Sequence, residues 1–270
     1  MNVSTSRIPY AELPPHVRAA VEAHTGPALK ADSASEGFNS EIAVRLVSQT
    51  GEYYVKGRLA DHRWAWTQRR EAEVNPYVRG IAPTLVARVE SGGWDLLVFE
   101  AVDGHHADYR PGSSDLPKVV DVLRRLGQRP CPKIELRHAE QRLERHVDRP
   151  EDLAHFTGDA LLHTDWNNTN VLVSADRVHV VDWGWATKGA PWLDAGFWVI
   201  WLVASGHEPA AAEQWAAQVP VWLKAPAEGI DAFAVANANI WDEIGGHDPA
   251  PWTARMVDAA RRWRDHRKAA

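Results

Sequence analysis

The sequence predicts an α+β protein in two lobes: a small antiparallel sheet of five strands with one helix, then a larger, mainly helical lobe. Three observations carry this. Apolar residues alternate with period two only before about residue 102. From about Asp115 onward they recur at helical spacing. The later exception is a pair of short apolar runs, 171–173 and 179–181, around the motif "HTDWNNTNVLV". "VDGHH" near residue 103 divides the chain into 1–102 and 103–270.

Taken in order, residues 14–24 open on Pro14-Pro15 and read as a short helix, proline being tolerated in the first turn. Ile42, Val44 and Leu46 then alternate with Ala43, Arg45 and Val47, and a second run covers Tyr53 to Lys56. "SQTG" between them makes a hairpin. Trp64 to Arg79 has helical composition, with Val74 and Val78 on one face. Strands follow at Thr84 to Val89 and Trp94 to Phe99, joined by "ESGG". Helices are expected at 115–126, 134–148, 191–205, 209–224, 230–244 and 252–267.

Composition narrows the class. A chain of 270 residues has room for one large domain or two lobes sharing a cleft. A net charge of −6 and the lack of a basic stripe argue against nucleic acid as partner. "FWVIWLVASG" at 197–206 is too short to span a bilayer and reads as a buried core helix. The N-terminal stretch lacks the features of a secretory signal, and the single Cys131 suits a reducing, cytoplasmic setting. Of 14 tryptophans, 11 lie after residue 160, either as core filling or as the lining of a pocket for a ring-bearing ligand.

The chemistry concentrates around His163, Asp165 and Asn170, spaced H-x-D-x-x-x-x-N, and Asp182 beyond the next apolar run. That spacing is the one protein kinases use, with the Asp as base and the Asn and the later Asp on Mg²⁺. Phosphoryl transfer asks the catalyst to position a hydroxyl and neutralise phosphates. Mg²⁺ takes hard oxygen donors, which Asn170 and Asp182 supply. Other parts follow in order. "SASEGFNS" places Gly37 among Ser33, Ser35, Asn39 and Ser40, a loop able to donate backbone N–H groups to phosphates or a plain turn. Lys56 in "YYVKG" is placed to reach phosphates, and Glu71 or Glu73 can pair with it. Glu71 is favoured because it shares the face of Val74 and Val78. His163 is expected to shape the loop by bonding to backbone; His105, His106 and His207 lack metal-ligand spacing and read as surface or hinge residues.

Over most of its length, from about residue 30 to at least 205, the chain resembles the aminoglycoside phosphotransferase branch of protein-kinase-like small-molecule kinases. "HTDWNNTNVLV" followed by "HVVDWGWATKGAPWLD" carries the likeness, including the tryptophan after Asp182. Thr164 stands where the family has glycine, and Asn168-Thr169 where it commonly has Pro-Gly. The resemblance implies ATP or GTP as donor and Mg²⁺ as cofactor. It puts Phe99 at the gatekeeper position, with the Glu100 carbonyl and the Val102 N–H at the purine edge. It makes Asp194 a buried carboxylate bracing the catalytic loop.

The function expected is transfer of the nucleotide γ-phosphate to a hydroxyl of a small molecule, most simply an aminoglycoside-like antibiotic. A natural-product or nucleoside-type intermediate is the alternative acceptor, and a non-catalytic nucleotide-binding protein is the alternative class. Carboxylates that could hold a cationic acceptor are Glu208, Glu228, Asp242, Glu243 and Asp248, the best cluster being "NIWDEIGGHD" with Asp242 and Glu243. Trp166 and Asn167, beside Asp165, are further candidates for acceptor contact.

Overall fold

The computed structural model describes residues 7–34 and 40–269. They form two compact units. One comprises residues up to Gly104 together with His179–Trp185; the other comprises His105–Val178 and residues from Ala186 on.

The first unit is built on a five-stranded antiparallel sheet. Its strands are β1 (Ala28–Ser33), β2 (Ile42–Ser48), β3 (Glu52–Leu59), β4 (Leu85–Ser91) and β5 (Trp94–Glu100), in the order β1-β2-β3-β5-β4. Helix α1 (Pro15–Thr25) covers one face. Val17 and Val21 pack there with Ile42, Val44 and Leu46 of β2, Val55 of β3, and Leu96 and Val98 of β5. Each such side chain, fully buried, contributes roughly 1.5–3 kcal/mol. Consecutive strand residues face opposite sides. Val55 therefore joins this core, and Lys56 turns to the other face.

Helix α2 (Trp66–Val74) is shorter than the expected 64–79. Pro76 has no N–H to continue the ladder, so the chain tightens into a 3-10 turn at Asn75–Tyr77. Val74 and Val78 are both fully buried. The segment His179–Trp185 runs back into this unit, where the Val180 N–H donates to the Ile81 carbonyl at 2.8 Å.

The second unit contains β6 (His105–His106), α3 (Leu116–Gly127), β7 (Arg137–His138), α4 (Ala139–Leu143), β8 (Ala160–Leu162) and β9 (Val171–Val173). After β10 (Val178–Val180) come β11 (Thr187–Gly189), α5 (Leu193–Ala204), α6 (Pro209–Ala216), α7 (Ala227–Gly245) and α8 (Pro251–Ala269). β6 pairs antiparallel with β9, and β11 lies between β7, parallel, and β8, antiparallel. The helix expected over 134–148 shrinks to α4, because Arg137 and His138 are drawn into pairing with Thr187 and Lys188. The one expected over 209–224 stops at Ala216, with Pro220 ahead of a single 3-10 turn.

Phe233 of α7 is the hub of this core. The rings of Phe156, Trp192, Phe197 and Trp263 pack around it at centroid distances of 4.9 to 6.1 Å. Gly196 lets α5 approach it, since a Cβ there would lie 2.7 Å from Phe233 Cε1. Trp166, Trp183, Trp192, Trp198, Trp222 and Trp263 are buried, so six of the eleven tryptophans after residue 160 fill core. "FWVIWLVA" lies within the buried helix α5, and among the described residues no helix is long and apolar enough to cross a membrane.

Candidate active site

In the first unit, Lys56 is held between two carboxylates. Its Nζ lies 2.8 Å from Glu71 Oε2 and 3.1 Å from Asp182 Oδ1. The lysine side chain is 11% exposed, whereas Glu71 is 4% exposed and Glu73 faces solvent. Burial works against the lysine's charge, but Asp182 and Glu71 outweigh it and raise its pKa. Burial also pushes Glu71 up, opposed by Lys56 and by the Trp183 backbone N–H that it accepts. Gly57 lets β5 come close beside the lysine; a Cβ there would sit 2.8 Å from Leu96 Cα.

The segment carrying Asp182 is fastened to α2. Asp182 adopts φ 65°, a left-handed conformation that aspartate tolerates. A Cβ on Gly184 would meet Thr67 Cβ at 2.8 Å, and Trp185 packs its ring against Trp64 and Trp66 at 5.4 and 5.1 Å. The helix that supplies Glu71 and the turn that supplies Asp182 thus share one packed contact. Phe99 lies beneath the lysine, its ring centroid 5.8 Å from Nζ. Glu100 ends β5, with Val102 two residues beyond it. Gly37 lies outside the described residues, as do Ser35 and Asn39.

In the second unit, the loop after β8 bears Asp165 and Asn170. His163 is fully buried, and its Nδ1 accepts the Asp165 N–H at 3.3 Å. Asn170 Nδ2 donates to the Asp165 carbonyl at 3.2 Å, tying the ends of the loop together. Between them, Asn167 caps a 3-10 turn, its Oδ1 accepting the Thr169 N–H at 3.2 Å. The Asn167 N–H lies 3.4 Å from Asp165 Oδ1. Trp166, expected to face an acceptor, is instead wholly buried with its ring edge-on to His163. An apolar ring beside a polar turn gains more from burial than from exposure.

Asp194, in the first turn of α5, braces this loop. Its Oδ2 accepts the His163 N–H at 2.9 Å and its Oδ1 the Thr164 N–H at 2.8 Å. The residue is 3% exposed, and burial pushes its pKa up against these donors. Asp194→Ala is expected to destabilise the protein by about 2–5 kcal/mol, because two buried N–H groups lose their acceptor. A large fall in the thermal unfolding midpoint checks this; an unchanged midpoint contradicts it.

Thr164 has φ 68°, where a β-branched residue costs on the order of 1–3 kcal/mol. Its hydroxyl accepts from Arg142 Nη1 at 2.7 Å, and the same nitrogen donates to Thr187 Oγ1 at 2.6 Å. Burial, with Arg137 nearby, pushes Arg142 down to about 10. Sequence reasoning missed Arg142 and Thr187: Arg142 sat in what read as an ordinary helix, and Thr187, though within "HVVDWGWATKGAPWLD", carried no role of its own there.

The carboxylates considered for a cationic acceptor are largely engaged. Asp242 pairs with Arg261 at 2.9 Å, Glu208 with Arg262 at 3.0 Å, and Glu243 lies 3.7 Å from His146. Glu228 and Asp248 are exposed. Beside Asp242, Trp241 packs edge-on to Trp201 and Trp252 at 6.3 and 6.0 Å, and Trp252 is 49% exposed. His207, expected at the surface or in the hinge, is buried, its Nε2 2.9 Å from the Tyr109 carbonyl. His105 lies 2.9 Å from Asp115. For Mg²⁺, Asp182 in the first unit offers a carboxylate oxygen and Asn170 in the second an amide oxygen, each a hard donor of the kind that ion takes.

The fold is that of the protein-kinase-like small-molecule kinases. An aminoglycoside phosphotransferase crystallised with ADP and hygromycin B matches at TM-score 0.56 and 16% identity, over 91% of this chain and 98% of that one. The choline kinase of Streptococcus pneumoniae matches at 0.62 and 12%, over 93% and 99%. A spectinomycin phosphotransferase bound to ADP and spectinomycin matches at 0.59 and 11%, over 93% of each chain. No protein-family model matches the sequence, and no curated protein sequence does.

Proposed function

We propose that the protein transfers the γ-phosphate of ATP or GTP to a hydroxyl of a small molecule. The observation that carries this is the Lys56–Glu71–Asp182 constellation at 2.8 and 3.1 Å. A buried lysine fixed by one carboxylate on a helix and another at a strand end is suited to binding phosphate. Lys56 binds nucleotide phosphates, held in place by Glu71. Asn170 and Asp182 would hold Mg²⁺, which supplies neutralisation of the phosphate charge. Asp165 orients the acceptor hydroxyl and takes its proton late, as a loose transition state requires. His163, Asp194 and Asn170 hold the backbone on either side of Asp165 and so set its direction. Glu100 and Val102 meet the purine edge.

An aminoglycoside-like antibiotic is the first acceptor class to test, held through Asp242, Glu243 and Asn167. The Asp242–Arg261 pair and the half-exposed Trp252 beside Trp241 support a second reading, an acceptor with a nucleoside or aromatic portion. Incubation with Mg²⁺ and ATP or GTP across aminoglycosides, peptide antibiotics, nucleosides and amino alcohols separates these. A mass gain of one phosphoryl group on an acceptor is expected. Nucleotide binding without turnover under every condition would instead mark a non-catalytic binding protein.

A further inference from the structure

We propose that Arg142 is a positioning residue for the loop bearing Asp165, holding Thr164 in a left-handed conformation that fixes Asp165. This rests on Asp165 serving as the base in the transfer proposed above. Thr164 immediately precedes Asp165 and has φ 68°, which glycine adopts freely and a β-branched residue resists. The conformation must be imposed from outside. Two groups contribute to this. The Thr164 N–H donates to Asp194 Oδ1 at 2.8 Å, and the Thr164 hydroxyl accepts from Arg142 Nη1 at 2.7 Å.

The arginine is itself located by the framework. Its Nη1 carries two hydrogens, and the second bond goes to Thr187 Oγ1 at 2.6 Å. Thr187 opens β11 and pairs with Leu162, the last residue of β8, two residues before Thr164. One guanidinium nitrogen thus measures the loop against the strand beside it. Burying a guanidinium is costly. The carboxylates of Asp165 and Asp194 favour its charged form, so the arginine and the loop's acidic groups stabilise one another.

A double-mutant cycle tests the coupling directly. Full-length wild type, Arg142→Met, Thr164→Gly and the double variant are compared for ATP hydrolysis with Mg²⁺, ADP affinity and thermal unfolding. Arg142→Met is expected to slow hydrolysis roughly tenfold or more, as misplacement of a reacting group does, with ADP affinity unchanged. In the Thr164→Gly background the same change is expected to cost less than about twofold, since glycine needs no restraint to adopt positive φ. Arg142→Lys, which keeps a donor for the hydroxyl, recovers part of the rate, and the cycle is repeated with it if Arg142→Met does not fold. An equal loss of rate in both backgrounds, or a fall in ADP affinity matching the fall in rate, overturns the proposal. If wild type neither hydrolyses ATP nor binds ADP, the transfer reading fails and thermal unfolding decides the clamp. A midpoint loss that disappears with Thr164→Gly supports it; an equal loss in both backgrounds overturns it.

Discussion

Replacing Asp165 with alanine is expected to slow phosphoryl transfer by about 10²-fold or more, the contribution of a positioned general base. Nucleotide affinity is expected to stay at the wild-type level, because Lys56, Glu71 and Asp182 are untouched. The fold survives as well: the Asp165 main chain keeps its bonds to His163 and Asn170 whatever its side chain. Steady-state rates with the acceptor found by screening, alongside ADP titration, check both halves. A rate within a few fold of wild type would remove Asp165 from its role.

Replacing Lys56 with methionine strikes both stability and binding. Glu71 would keep its burial and lose its cation, and breaking such a pair costs about 3–5 kcal/mol. Most of this falls on Glu71, since Asp182 is 32% exposed and better screened. The wild-type lysine has a raised pKa, so its stabilisation is fully present below its unfolded value of 10.5 and is lost only at more alkaline pH. In the variant the sign reverses. Glu71 is already raised by burial, and without the lysine it takes up a proton more readily, so the deficit is largest at neutral pH and shrinks as pH falls. Denaturant unfolding at several pH values measures this. ADP affinity is expected to drop roughly tenfold or more with loss of a charged donor. Adding Glu71→Gln should recover stability but not binding, which separates the two roles.

The residues that make up these groups were legible for a simple reason. Lys56 lies within an apolar strand, and Asp165, Asn170 and Asp182 beside the ends of others, where an isolated charge or amide stands out against its neighbours. Glu71 was readable from the face it shares with Val74. The rest depended on contacts that local sequence does not encode. β1 is an edge strand with one face and much of the other in solvent, so "ALKADS" shows no alternation. β7, β8 and β11 are two or three residues long and exist through their pairing with one another. The left-handed backbone at Thr164 was masked by the residue itself, threonine being among those least suited to it; the glycine of the resembled family at that place was the one signal of it. Arg142 reaches that position from a helix more than twenty residues upstream, which no spacing rule anticipates.

Following the γ-phosphate itself is the most direct test of the function proposed. With ATP labelled at the γ position, Mg²⁺ and an acceptor, the label is expected on an acceptor hydroxyl in amounts equal to the ADP formed. It should never pass through a protein-bound phosphate, and its transfer should be lost in Asp165→Ala. Label accumulating on the protein, or transfer that persists unchanged without Asp165, would contradict direct in-line transfer by this site.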